Sequence, residues 1–302
     1  MHPSHSQAAP RLACQPTQHA ASPRFAVVLG SGGVRSIAAL GMAEVLWREG
    51  LEPDLVVGCS AGAMFGALIC AGHTAHEAVR IATTLWSADI TRQRRWLAIP
   101  RMVFPRLGRF DADFALRDDR LILQRLEQAF GGVRLEDLRL PLRVATTDAA
   151  TGDSVVLRRG RLAEVLRASV ALPFMFAPVH IDGRRLVDGV LSDPLPVAAA
   201  SDADVVVALG FESPMPRRVN APSRLLAQVN SAMTNNLMQA RLAAARAQHK
   251  GLLSIFPTLT RRVGLFDTEA MPYLVEQGRR ATEEKLPAIM ALLDRMPRLA
   301  VA

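Results

Sequence analysis

Two stretches, FAVVLGSGGVR at residues 25–35 and LVVGCSAG at residues 55–62, decide the fold of this chain. Each opens with a short aliphatic run that stops at glycine. Val34 to Arg48 then shows helical spacing through Ile37, Leu40, Val45 and Leu46, and a small-residue run continues from the second stretch to about Ala71. An unbroken apolar run followed by a period near 3.6 gives strand, glycine turn, helix. Two such units in succession predict a parallel sheet covered by helices. The expected class is α/β, a mostly parallel central sheet flanked by helices on both faces in three layers.

The pattern extends outward from these units. Helices are expected over Ala75 to Trp86, Asp119 to Phe130 and Leu162 to Ser169, and a long alanine- and leucine-rich one over Ser223 to Gln248. A terminal helical region, Thr268 to Leu293, is expected to be interrupted at Pro272 and Pro287. Strands are expected at Leu142 to Thr146 and Ser154 to Leu157, joined through Thr151-Gly152-Asp153, and at Val205 to Leu209 and Leu252 to Phe256. Val179 to Ile181 and Arg184 to Val187 flank Asp182-Gly183, a two-residue hairpin signal. Leu55 to Gly72 is uncharged for eighteen residues, the lower limit for a membrane span, but its glycine and serine centre fits strand, turn and buried helix better.

Half of the 302 residues are hydrophobic, enough for a sizeable core and against disorder as a whole. No linker-like segment divides residues 24 to 302, so a single domain is expected, preceded by a disordered tail at residues 1 to 23 that has no secretory apolar run. Net charge is +8, carried almost wholly by arginine, which makes anionic surfaces candidate partners; no nucleic-acid motif accompanies it. Cys14, Cys59 and Cys70 have no metal-ligand spacing and fit a reduced, cytoplasmic setting. Thr91 to Phe110 interleaves arginines with Trp96, Leu97, Ile99, Met102, Phe104 and Phe110. It reads either as a segment touching anionic membrane at the periphery or as a lid packed on its own domain.

The chemistry concentrates at three places. Gly58-Cys59-Ser60-Ala61-Gly62 fits G-x-S-x-G, the elbow that lifts a serine hydroxyl off a strand end at the start of a helix, with glycines where side chains would collide. Cys59 reads as a buried spacer. Gly30 to Arg35 follows the first strand and opens the first helix, so its backbone N–H groups converge on a point outside the strand end, suited to an oxyanion. Arg35 stands where a dinucleotide fingerprint needs its third glycine, and no Walker Gly-Lys-Ser/Thr is present. Glycine loop and elbow share one sheet edge, which is acyl-transfer geometry. Of the histidines beyond the tail, His73, His76, His180 and His249, none has a convincing catalytic context, whereas Asp188-Gly189 leaves the second hairpin in a loop that can reach another strand end.

These residues resemble the patatin-like phospholipase family, particularly its bacterial members, with G-G-G-x-R-G, G-x-S-x-G and D-G-G or D-G-A in that order. Here they read Ser31 to Ser36, Gly58 to Gly62 and Asp188-Gly189-Val190, and RASVALPFMFAPVHIDGRRLVDGVLSDPLPV at residues 167–197 is similar to the block around the family's aspartate. The resemblance, running from about Phe25 to Leu209, implies a Ser60–Asp188 dyad. It further implies an oxyanion hole from Gly32, Gly33, Val34 and Arg35 of the glycine loop and hydrolysis of fatty-acyl esters of phospholipids or related lipids without metal or cofactor. Alternatives are an acyltransferase or thioesterase using the same serine, or a catalytically silent lipid-binding or regulatory protein. Ser31, Ser36 and Val190 depart from the family pattern; the serines are expected to stiffen the loop and the valine to narrow the site.

Overall fold

A computed structural model describes residues 25–91 and 111–295. The N-terminal tail, residues 92–110 of the arginine-rich excursion and residues 296–302 lie outside the described residues. Eight strands form one sheet: β1 (Phe25–Leu29), β2 (Leu55–Cys59), β3 (Leu142–Asp148), β4 (Ser154–Leu157), β5 (Val179–Ile181), β6 (Arg184–Asp188), β7 (Val205–Leu209) and β8 (Leu252–Ile255). Hydrogen-bonded neighbours run β5-β6-β3-β2-β1-β7-β8, β6 and β2 following one another along the same edge of β3 and β4 taking its other edge. The five strands from β3 to β8 along that order are mutually parallel, and β4, β5 and β6 add antiparallel pairings.

The alternation of side chains along a strand explains why both faces are covered. Val27, Leu29, Val56, Val205, Val207 and Leu209 point into a large core shared with α1 (Ala38–Arg48), α2 (Ala61–Cys70), α3 (Ala75–Leu85), α4 (Arg120–Phe130), α5 (Leu162–Ser169) and α7 (Met271–Arg295). Ala26, Val28, Val57, Val206 and Ala208 face a smaller core closed by Leu195, Val197 and two residues of α6 (Pro222–Gln248), Met238 and Leu242. The expected three layers are thus present. The uncharged Leu55 to Gly72 stretch is β2 and α2, and no helix among the described residues is long and apolar enough to cross a membrane.

Three expectations are modified. The segment after the first glycine loop begins as a 3-10 turn, Gly33–Ile37, before α1. Gly33 has φ +59 and the Val34 N–H bonds outward to Leu265 O at 3.0 Å, so the first turn cannot close as an α-helix. β3 runs two residues beyond Thr146, because β6 pairs with its end. Pro287 lies inside α7, which is not interrupted there. A mid-helix proline costs about 3 kcal/mol; contact with α1 opposes it, since a Cβ at Gly41 would collide with the Val275 carbonyl and one at Gly278 with the Ala38 carbonyl, and both helices bury apolar side chains there. Pro272 sits in the first turn, where no N–H is needed. The Asp182-Gly183 hairpin has φ 49 and 74, the left-handed pair that a tight two-residue turn requires.

Candidate active site

β2 ends at Cys59, and Ser60 connects it to α2 with φ 56 and ψ −129, a conformation few non-glycine residues adopt. Its neighbours explain how the chain tolerates it. A Cβ at Gly58 would run into the Ala63 backbone, and one at Gly62 would lie 2.5 Å from Leu29 O. The elbow is therefore locked between its own helix and the end of β1. The Ser60 N–H donates to Ser169 Oγ at 2.8 Å, and that hydroxyl donates to Ala145 O at 2.8 Å.

Asp188 arrives from the opposite direction as the last residue of β6. Ser60 Oγ donates to Asp188 Oδ2 at 2.7 Å, with both residues buried. The other carboxylate oxygen accepts the Val190 N–H at 2.9 Å, and the Asp188 carbonyl accepts Thr147 Oγ1 at 2.9 Å. Ser192 shares a hydroxyl–hydroxyl bond of 2.8 Å with Thr147, so the turn after the aspartate is stitched to β3. A Cβ at Gly189 would stand 2.6 Å from Ala145 O, which is why glycine follows the aspartate. Burial pushes the Asp188 carboxyl up from 3.8 to about 7, against the opposing pull of its bonds to Val190 and Ser60. Asp193, five residues on, is raised to about 6, again by burial, with Arg241 opposing.

The glycine loop lies against the same edge. Gly30 N–H donates to Leu209 O at 2.9 Å and Ser31 N–H to Pro194 O at 2.8 Å, which tie the loop to β7 and to the segment beyond Asp188. The Gly32 and Gly33 N–H groups carry no acceptor among the described residues. Those of Val34 and Arg35 are taken by Leu265 O and Gly32 O. Arg35 is buried, its Nε on Gly32 O at 3.0 Å and its NH1 on Glu212 O at 2.6 Å, with Phe211 beneath the guanidinium. Its side chain holds the loop in shape. Ser36 Oγ donates to Gly30 O at 2.9 Å, so this departure from the family pattern does add a tie within the loop.

Cys59 is fully buried and its thiol is pushed well above the ordinary range, by burial first and by Asp188 and Asp193 next. It packs as a spacer. Neither Ser60 nor Asp188 has a histidine partner among the described residues; exposed His180 lies 4.0 Å from Asp113, and His249 Nε2 meets Ala203 O at 2.6 Å. A cleft of about 380 Å³ opens beside Val187 and Leu191, walled by Phe114, Phe174 and Phe176. Ser60 and Asp188 do not line it.

The sequence profile described as patatin-like phospholipase matches residues 27–201, more than half of the chain, a span that contains Ser60, Asp188 and the glycine loop. The chain belongs to the patatin-like phospholipase family. Among its relatives, an NTE family protein of Mycobacterium tuberculosis is 35% identical over 192 residues, 63% of this chain and 49% of that protein. The neuropathy target esterase sws of Drosophila melanogaster is 30% identical over 186 residues, 61% of this chain and 12% of that one. Among solved structures, VipD from Legionella pneumophila aligns with a TM-score of 0.48 at 16% identity, covering 90% of this chain and 67% of that one. The chain spans about half the length, or less, of these curated relatives.

Sequence reasoning missed the supports of this patatin-like site. Ser169 lies in the residue 167–197 block, but nothing in a lone serine at a helix end says that it bonds a backbone two strands away. Thr147, Ser192 and Asp193 carry no periodic or motif signal either.

Proposed function

We propose that the chain is a serine acyl hydrolase with a Ser60–Asp188 dyad, cleaving fatty-acyl ester bonds of phospholipids or related lipids. The observation that carries this reading is the 2.7 Å hydrogen bond from Ser60 Oγ to a buried carboxylate, at a strained elbow beside a glycine loop with two uncommitted N–H groups. Membership of the patatin-like family and the esterase named among its relatives support the substrate class.

Ser60 Oγ attacks the acyl carbonyl carbon as its proton passes to Asp188 Oδ2, and the carbonyl oxygen becomes an oxyanion. Gly32 and Gly33 N–H groups are the donors that receive it, Val34 being engaged by Leu265; one such donor is worth roughly 100- to 1,000-fold in rate. Collapse breaks the ester C–O bond, and the alcohol leaves with the proton from Asp188. Water then attacks the acyl-enzyme, Asp188 takes its proton, and Ser60 is released with the fatty acid. A carboxylate is an adequate base here because burial has raised its proton affinity to about 7, near the ambient pH at which a base works best. The Phe-lined cleft beside Val187 and Leu191 offers an apolar bed for part of the lipid.

Incubating the chain with a fluorophosphonate probe tests the nucleophile. Labelling is expected at Ser60, with none in Ser60→Ala, and hydrolysis of p-nitrophenyl acyl esters should disappear with it. A folded Ser60→Ala chain that still hydrolyses these esters refutes the assignment.

A further inference from the structure

α6 departs from the other helices, because its first nine residues bury no side chain fully and only Met238 and Leu242, in its second half, are buried. The reason lies in how it is attached. Segment 212–214 leaves the carboxyl end of β7 beside the glycine loop and is fastened to α6 by bonds to Asn235 at 2.7 Å, Ser231 at 3.1 Å and Gln239 at 3.3 Å. Residues 231, 235, 238, 239 and 242 share one helix face, which rests on the body of the molecule. The part of α6 before Ser231 therefore runs past the carboxyl edge of the sheet, the edge at which Ser60 and the glycine loop stand.

Leu225, Leu226, Val229 and Met233 are all exposed, between 45% and 66%. At 3.6 residues per turn these four fall within an arc of about 100° that points away from the fastened face. Met215 and Val219 of the preceding loop are exposed too, and Arg217, Arg218 and Arg224 stand among them, each exposed. From Ser213 to Lys250 the sequence has no aspartate or glutamate and carries Arg217, Arg218, Arg224, Arg241, Arg246 and Lys250. An apolar stripe on a projecting helix, ringed by arginines that pair with no carboxylate among the described residues, suits a surface that offers hydrocarbon beneath negative charge. A second copy of the chain would set the same arginines against each other.

We infer that the first half of α6 and the 213–221 loop form a docking surface for an anionic lipid bilayer, holding the active-site edge at the membrane. The inference rests on the lipid-hydrolase reading for its purpose, but binding can be measured without turnover. The full chain carrying Ser60→Ala is co-sedimented with vesicles of phosphatidylcholine alone or mixed in equal parts with phosphatidylglycerol. Binding is expected to the mixed vesicles and to be much weaker to neutral ones. With each arginine near an anionic surface worth about fivefold, Arg217→Gln/Arg218→Gln/Arg224→Gln should weaken it roughly 100-fold, and Leu225→Asp/Leu226→Asp at least about tenfold. With Ser60 intact, both variants should hydrolyse the water-soluble ester p-nitrophenyl butyrate at the parent rate and unfold at the parent temperature. Docking without hydrolysis by the Ser60 chain would uphold the surface and refute the hydrolase reading. Unchanged vesicle binding in both variants overturns the proposal by placing the dock elsewhere, residues 92–110 included. So does a dimer that the leucine variant dissociates, or a lowered unfolding temperature showing that the stripe packs on its own chain.

Discussion

Asp188→Asn should abolish turnover and stabilise the chain, two effects of opposite sign from one isosteric change. Burial raises the carboxyl from 3.8 to about 7, so the folded chain holds this proton more tightly than the unfolded chain does. The sign follows: Asp188 costs nothing below the unfolded value, and the cost grows as pH rises through the window between 3.8 and about 7, then levels off. At roughly 1.4 kcal/mol per tenfold change in proton affinity, the full penalty is about 4 kcal/mol near pH 8. Asparagine carries no charge to desolvate, and its carbonyl oxygen can still accept the Val190 N–H. Allowing about 1 kcal/mol for the altered bond to Ser60, the variant should be more stable than the parent by about 3 kcal/mol near pH 8. The gap should close near pH 4. Asp193, raised to about 6 by burial, adds a cost of the same sign, but it is present in both proteins and cancels from the comparison. Urea unfolding of parent and variant at the two pH values measures the gap. Ester hydrolysis should fall at least about 100- to 10,000-fold, the usual contribution of a positioned base. A variant no more stable than the parent near pH 8 refutes the burial argument, and one retaining a tenth of parental turnover refutes the base.

On the proposed dyad the same carboxyl would set the pH dependence: kcat/KM for a p-nitrophenyl ester should rise with pH and reach half its plateau near the Asp188 value of about 7, and a flat profile from pH 5 to 8 would exclude this base. Ser169→Ala leaves the Ser60 N–H and Ala145 O without their shared partner, so unfolding free energy should drop by about 2 kcal/mol, with kcat falling through misplacement of the elbow. Arg35→Met removes the donors to Gly32 O and Glu212 O; kcat should fall about tenfold or more with KM nearly unchanged, and Arg35→Lys should restore part of it, the split being read from saturation kinetics. Equal loss of activity and of thermal stability in Arg35→Met, without the KM–kcat split, would reduce the arginine to a packing role.

The fold was legible wherever a local rule decides it. Val27 and Val56 lie in unbroken apolar runs because both sheet faces are buried, and Asp182-Gly183 could only be a tight hairpin turn. Ser60 and Asp188 were legible because a strained elbow and a tightly packed aspartate turn each demand glycines at fixed offsets, and Gly58, Gly62 and Gly189 do fill space into which no Cβ fits. What escaped depends on contacts distant in sequence. The Val34 N–H is spent on Leu265, more than 200 residues away, so the composition of the loop could not say which of its four N–H groups remain available. Pro287 misled for a related reason: the local cost of a helical proline is readable, but the glycine-mediated approach of α7 to α1 that opposes it is not.

Register along β3 accounts for the meeting of serine and aspartate without an intervening imidazole. Residues 144 and 145 pair with both β2 and β4, so those strands occupy opposite edges of β3; residues 146 and 147 pair with both β4 and β6, so β6 lies on the edge that β2 has just vacated. β2 runs parallel to β3 and stops with Cys59 opposite Ala145, while β6 runs antiparallel and stops with Asp188 opposite Thr146. Two strands thus abut end to end on one track, and the residues at their tips, Ser60 and Asp188, come within a single hydrogen bond. An imidazole between them would need the tips several ångströms further apart. Ser169 fills the seam, taking the Ala145 carbonyl and the Ser60 N–H where the ladder changes partner. The carboxylate is therefore delivered to the serine by the sheet itself, and a slip of β6 by one residue would turn it to the opposite face and leave Val187 or Gly189 facing the serine.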